Sequence, residues 1–549
     1  MQRFIEEYGG TFYDLLVIGG GISGACIAYE AASRGLSVAL VEKADFGGAT
    51  SAATSKMIHG GLRYLANKEF GLVRESLKER RILTNIAPNF VQPTPFITAF
   101  YKNGTPGWLV RLGMVLYDLL SFDKGWLWDK SKKMPMHKSL HREQLLALVP
   151  DANQQGLRDL NFLYSDCLSH FSERFTLAFL RSAVKYGAQI ANYTQMEEYI
   201  LEGRANGHKK VLGAVVRDLI HNQRHSIRAK MTISCTGPWS DLVINKILGT
   251  DNGKHLRRSE GIHVITKKLL DRYVFCMSCA EGDRILIIPY RDHTLIGLTD
   301  KEYTGHPDDW HVTKDAIQEL LQIVNRYYGN GKTIRFQDIK YAYGGLRPLT
   351  DVSSSDVRKA SRRYEIYDLL DKGVEGVLVV EGGKWTTSRG LAENAINKIC
   401  QSKELDCKPS RSAKEYLVGS EIDNLALFTK DQQDRYQRDY SPDQITYLVN
   451  SYGTLIDEVM EICAQRKSWQ EALNPDGENL GQVVYAIRNE MALTLKDILL
   501  RRTGIGLLGY PGEEVVRKVA DVAAEELNWS EARKKTEIDA VTKVLKLPR

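Results

Sequence analysis

The sequence predicts an α/β core with a discontinuous parallel sheet, an antiparallel sheet forming a second layer of that core, and an all-α C-terminal domain. Three observations predict it. A strand–helix–strand unit with a glycine-rich turn opens the chain, two later apolar runs also end on glycines, and strand signals give way to helical periodicity after Cys400. A length of 549 residues suffices for several hydrophobic cores, and 43% hydrophobic with 26% charged residues is a globular composition.

Residues 13–19 (YDLLVIG) form a short apolar run closed by glycine, 22–34 have helical composition, and 37–42 (SVALVE) form a second run, which together make a β-α-β unit. Residues 230–235 (KMTISC) precede Thr236-Gly237-Pro238, and 376–381 (GVLVVE) precede Gly382-Gly383. Three glycine-terminated strands so far apart predict one parallel sheet assembled from separate segments. Residues 255–300 alternate strand-like runs (GIHVIT, YVFCMS, RILIIPY, TLIGLT) with turns, predicting an antiparallel sheet that floors a substrate site. Beyond Ser402 the pattern is amphipathic and helical, with helices expected over 482–500 and 512–527. The expected organisation is a core over 1–401 and a helical cap over 402–549. Within the core, nucleotide-binding segments fall at about 11–95, 160–250 and 335–401, and substrate-domain segments at about 96–159 and 251–334.

A net charge of +6 is small for this length and argues against a nucleic-acid partner. The eight cysteines include one close pair, Cys276 and Cys279, with no second pair to complete a zinc site, so no metal site is expected and the thiols read as reduced, in a cytoplasmic protein. The polar start of the chain does not fit a secretory signal, and no run of eighteen apolar residues exists to span a bilayer. Residues 107–129 (GWLVRLGMVLYDLLSFDKGWLWD) stand out as a helix with three tryptophans and a polar stripe marked by Arg111, Asp118, Asp123 and Lys124. That pattern suits either a core helix or one lying in a membrane interface.

Gly19-Gly20-Gly21-Ile22-Ser23-Gly24 fits G-x-G-x-x-G directly after a strand and at the start of a helix, the dinucleotide-binding arrangement of a Rossmann-type unit. Gly19, Gly21, Ile22, Ser23 and Gly24 are therefore expected to cradle a pyrophosphate, and Glu42, with Lys43 beside it, to meet the adenosine ribose. Residues 46–65 (FGGATSAATSKMIHGGLRYL) are rich in small residues whose free backbone N–H groups suit a long cofactor with a ribityl chain. Thr50, Ser51, Ser55, Lys56, His59, Gly60 and Gly61 are the expected contacts there.

These blocks, followed in order by YSDC at 164–167, TGPW at 236–239, GLTD at 297–300, GGLRP at 344–348 and GGKWTT at 382–387, resemble the FAD-dependent glycerol-3-phosphate dehydrogenase family over roughly the first 400 residues. The resemblance implies FAD, bound non-covalently, and a two-electron oxidation of sn-glycerol 3-phosphate to dihydroxyacetone phosphate. It implies further contacts to FAD from Thr236, Gly237, Gly383, Lys384, Trp385 and Thr386, with Thr386 or Thr387 capping the following helix near the flavin. It implies phosphate recognition by Arg63, Arg347, Lys384 and Arg362, with Tyr64 beside them, and leaves Arg362 and the adjacent Arg363 as alternatives. His263, with Arg347, is the expected catalytic pair, His263 acting as the base. The chain departs from the family at Ile262, where the family has a serine, and after Cys167, where Leu-Ser-His-Phe-Ser-Glu leaves only Arg174 carried over.

A membrane quinone is the acceptor the family implies, with the protein peripheral on the inner face of the cell membrane. A peroxide-forming glycerophosphate oxidase and an amino-acid oxidase or dehydrogenase are the alternatives, and the sequence leaves open whether the chain forms a homodimer.

Overall fold

β1 (Phe12–Ile18) organises the first sheet because it is paired in parallel on both sides, with Leu15 opposite Met231 of Gln223–Ser234 and opposite Val38 of β2 (Val38–Val41). The structure, a computed structural model, describes residues 1–101, 106–204, 207–249, 256–279, 284–350, 361–401 and 405–548. Gln223–Ser234 pairs in parallel with Val377–Gly382, so the three glycine-terminated strands of the sequence lie side by side as expected. Gln189–Ala191 extends the sheet beyond β2, and Tyr364–Asp368 closes the other edge antiparallel to Val377–Gly382. An antiparallel ribbon of Thr194–Gly203 and Lys209–Asp218 grows from the first half of Gln223–Ser234.

α1 (Ile22–Ser33) follows the glycine turn and is buried along almost its whole length, packed between Ser172–Lys185 and Ser388–Gln401. A side chain at Gly24 would place its Cβ 1.9 Å from the Gly19 carbonyl oxygen, so this glycine is what lets the helix lie against the end of its strand.

Among the described residues the second sheet has ten strands, and its central run is Arg257–Lys267, His293–Gly297, Arg284–Tyr290 and Val274–Ser278, each antiparallel to the next. It is not purely antiparallel, because Val274–Ser278 meets Gln92–Phe100 in parallel. Asn161–Leu168 and Ile339–Leu349, which fall inside the expected nucleotide-binding segments, pair in this sheet instead. Both strands carry apolar residues that fill its faces, so the sheets divide the chain differently from the sequence segments.

After residue 405 the described chain is helical. The helix expected over 482–500 is broken: Leu480–Glu490 ends on Met491 in the left-handed conformation (φ 55°), and a short π-helical segment, Ile498–Arg502, follows. Asn479 starts the first of these with a reciprocal side-chain cap. The cysteine expectation also needs correction, since Cys400 and Cys407 form a disulfide while Cys26, Cys167, Cys235, Cys276, Cys279 and Cys463 are free.

Residues 107–129 are helical only over Gly107–Leu120. Asp123 does not mark a water-facing edge: it is buried, gripped by Arg74 at 2.8 Å and Arg81 at 2.9 Å. The apolar side is the exposed one, with Trp108 69% and Leu119 64% accessible, and Phe122 and Trp126 in the following turn equally open.

Candidate active site

A cleft of about 1810 Å³ is lined by residues of both sheets and, at one end, by Lys496 of the C-terminal helices. At that end lie Gly19, Gly21, Ile22 and Ser23, with the first backbone N–H of α1 donating to Ser51 Oγ at 2.9 Å. Glu42 closes β2, accepting from the Gly20 N–H at 2.7 Å and the Ala44 N–H at 2.9 Å. Its burial raises the carboxyl pKa, partly offset by those two donors. Lys43 lies over the Trp239 ring at 3.9 Å and pairs with Asp308 at 3.0 Å across the mouth.

Thr50, Ser51, Ser55, His59 and Gly61 line the middle, opposite Thr236, Gly237, Gly383, Lys384, Trp385 and Thr386. The His59 N–H donates to Thr386 Oγ1 at 3.4 Å, joining the two glycine-rich segments, and burial followed by the Lys384 charge lowers the His59 pKa to about 4. Three expected contacts do not line the cleft. Gly24 packs α1 on its strand, and Gly60 receives Leu77 and the Tyr117 hydroxyl where a Cβ would stand. Lys56, at φ 56°, turns into the protein to donate to Ser172 at 3.0 Å and to pair with Glu173. The glycine turn, the helix N-terminus and a carboxylate at the end of β2 match the donor and acceptor needs of a dinucleotide, so these residues fit FAD.

The far end is built on one face of the second sheet. His263 is buried, its ring stacked on Tyr343 at 5.1 Å and its Nε2 hydrogen-bonded to Ser55 Oγ at 2.8 Å, while Nδ1 has no partner among the described residues. Burial, then the charges of Arg347 and Lys56, push its pKa down to about 3, so the ring is neutral and able to take a proton. Cross-strand glycines make the space: a Cβ at Gly297 would lie 2.3 Å from the imidazole, and one at Gly261 would lie 1.6 Å from the Arg347 guanidinium.

Asp300, absent from the sequence expectation, holds the cations in place. It accepts from Arg347 at 3.1 Å and from Arg362 at 2.7 Å, and also from Ser259. Burial pushes its carboxyl up, but the Arg347 and Arg362 charges outweigh that and hold it below the usual range. Arg362 is the buried member of its pair and Arg363 is exposed, so Arg362 is the one in the cleft. Arg63 lies over the Tyr64 ring at 4.9 Å and Lys384 over the same ring at 4.7 Å. Burial would raise the Tyr64 pKa, yet Arg63, Lys384 and Arg362 bring it down. Burial lowers the Arg347 pKa to about 10, with Asp300 opposing the shift and the Arg362 and Arg63 charges adding to it. Arg174 stands elsewhere: it pairs with Glu490 at 2.8 Å and stacks on Tyr452 at 3.9 Å, a contact with the C-terminal helices.

Such a cleft, a dinucleotide cradle leading to a neutral histidine beside clustered cations, defines an FAD-dependent oxidoreductase, and the family model of that description, FAD dependent oxidoreductase, matches residues 14–396. A second, the C-terminal domain of alpha-glycerophosphate oxidase, matches 410–534. Within this class the chain belongs to the glycerol-3-phosphate dehydrogenase family. It is 34% identical over 543 residues to the Mycobacterium leprae glycerol-3-phosphate dehydrogenase, covering 96% of this chain and 86% of that one. It is 30% identical to the mitochondrial enzyme of Rattus norvegicus, covering 97% and 73%. The solved glycerol-3-phosphate dehydrogenase of Bacillus halodurans, complexed with FAD, superposes with a TM-score of 0.78 at 25% identity, over 99% of this chain and 96% of that chain.

Proposed function

We propose that this chain oxidises sn-glycerol 3-phosphate to dihydroxyacetone phosphate and delivers the electrons to a membrane quinone. The observation that carries the reading is the cationic pole of the cleft, where Arg63, Arg347 and Arg362 act on the carboxylate of Asp300 and Lys384 adds a further positive charge to the lining. That excess suits a phosphate dianion, whereas a carboxylate monoanion needs one guanidinium. FAD, when bound, supplies the hydride acceptor. His263 accepts the hydroxyl proton at Nε2, the nitrogen facing Ser55 in the cleft wall, and Arg347, fixed by Asp300 and Ser259, lies close enough to offset the charge that develops on the substrate oxygen. Arg63, Tyr64, Arg362 and Lys384 fix the phosphate, and Trp385 and Tyr343 help exclude water.

The exposed face of Gly107–Leu120 supports the acceptor reading. No described helix is long and apolar enough to cross a membrane. Its exposed Trp108, Leu112 and Leu119, flanked by exposed Arg111, Lys130, Lys133 and Lys138, suit the headgroup region of an anionic bilayer. Leu109 and Leu112 also line the cleft, so its mouth opens on that apolar face, where a lipid-soluble acceptor is concentrated.

Anaerobic titration of the purified holoprotein, followed at the oxidised-flavin band near 450 nm, tests the reaction. Bleaching by glycerol 3-phosphate but not by glycerol or alanine is expected, and a flavin that stays oxidised with the phosphate ester rejects the substrate. Stoichiometric hydrogen peroxide during aerobic turnover would instead establish the oxidase reading.

A further inference from the structure

We infer that Arg284, which no block of the family resemblance contains, is a phosphate-recognising residue of this cleft and sets its preference for a phosphate monoester dianion; this rests on the proposed substrate. Arg284 opens the strand Arg284–Tyr290 opposite Ser278. Strand alternation puts it on the same face as Leu286, which pairs with Gly297, itself opposite His263. The side chain therefore belongs to the row of cleft-floor residues that ends at the histidine, and all four of Ser278, Arg284, Leu286 and His263 line the cleft.

Arg284 makes no hydrogen bond or ion pair with any described residue, unlike Arg347 and Arg362, which Asp300 engages. Its strongest charged neighbour is another guanidinium, Arg63, followed by the Tyr164 and Cys276 side chains and Tyr64. Asp300 and Glu69 act on Arg63, but no carboxylate of the described residues acts on Arg284, so the two guanidinium groups repel until an anion comes between them. A phosphate monoester has three terminal oxygens, enough for two guanidinium forks and a lysine together. Arg347, held by Asp300 and Ser259, is left to serve the reacting end, and Arg284 joins Arg63, Arg362 and Lys384 in fixing the phosphate.

The test uses the FAD-loaded full-length protein with Arg284→Ala, Arg284→Met and Arg284→Lys, each checked for wild-type flavin content. Inorganic phosphate is titrated against the flavin absorbance, and the KM for glycerol 3-phosphate is measured with a soluble dye acceptor. Loss of a charge-assisted contact predicts that Ala and Met raise KM and weaken phosphate binding by roughly ten- to hundredfold, more than they lower kcat, and that Lys recovers part of both. Values within about twofold of wild type for both readouts, or a wild-type protein whose flavin does not respond to phosphate, overturn the assignment. The two readings separate cleanly. If glycerol 3-phosphate fails to bleach the wild-type flavin, the substrate falls, while a phosphate response present in wild type and lost in Arg284→Ala still supports the anion site.

Discussion

His263 shows how a strand places a base without help from its own neighbours in sequence. Its neutrality follows from burial and from two nearby cations, and its position follows from Gly297 on the facing strand, which leaves room for the ring. His263→Asn keeps the ring's approximate volume and removes its basicity, so flavin reduction by glycerol 3-phosphate is expected to slow by roughly 10²–10⁴ with the flavin spectrum unchanged; stopped-flow absorbance reads both. The same burial has a pH consequence. A folded pKa of about 3 against an ordinary 6.5 means the unfolded chain takes up the proton first, so stability is intact above 6.5 and declines as pH falls. Between pH 6.5 and 4 the loss from this residue is on the order of 3 kcal/mol. Urea melts across that range check it, and His263→Asn should flatten the slope. At this scale single short blocks of sequence pointed to residues that line the cleft, as with Gly19, Gly21, Ile22 and Ser23 or Arg63 and Tyr64, while Gly24 packs α1 on its strand instead. The sequence was not readable for Asp300 and Arg284, whose roles depend on which residues stand across the sheet from them. Lys56 was misplaced because a positive φ reverses its side chain, and no sequence pattern announces that.

Among the elements, Gly107–Leu120 carries the clearest consequence of exposure. A helix with Trp108 and Leu119 more than 60% accessible loses apolar hydration only if something covers that face. Replacing both, Trp108→Ser with Leu119→Ser, removes about 1.5–3 kcal/mol of burial per side chain. Co-sedimentation with vesicles containing anionic lipid should fall tenfold or more, while dye-coupled turnover stays near wild type, because neither side chain lines the cleft. Equal sedimentation of the variant would reject the membrane assignment. Periodicity alone left this helix ambiguous between core and interface, since both present a broad apolar arc; only the position of Met114 and Tyr117, its two buried residues, decides which side faces inward. The parallel sheet was legible because strand, glycine and turn recur three times. The break at Met491 was not, because helical periodicity continues through it in the sequence while one residue adopts a left-handed backbone.

For the whole molecule, the C-terminal helices are fastened to the cofactor end of the core by buried charge. Asp45, three residues beyond Glu42 and itself lining the cleft, accepts from Arg502 at 2.6 and 2.8 Å and from Arg501 at 2.6 Å. The π-helical segment Ile498–Arg502 brings these consecutive arginines onto one carboxylate. Burial would raise the Asp45 pKa, but the Arg502 and Arg501 charges reverse that and hold it low. A second clamp, Arg174 with Glu490, lies away from the cleft lining. Removing one partner of such a buried pair costs about 3–5 kcal/mol, so Asp45→Asn and Glu490→Gln should both lower Tm by several degrees. They should differ in cofactor retention. Asp45 supports the loop after Glu42, so Asp45→Asn should release FAD more readily and gain less Tm from added FAD, whereas Glu490→Gln should gain as much as wild type, since ligand stabilisation follows RT ln(1 + [L]/Kd). Thermal melts with graded FAD, paired with flavin fluorescence to report release, separate the two. If both variants lose Tm and FAD affinity in the same proportion, the helical domain acts on the cofactor through global stability alone; a selective loss in Asp45→Asn makes the docked C-terminal domain part of the FAD site.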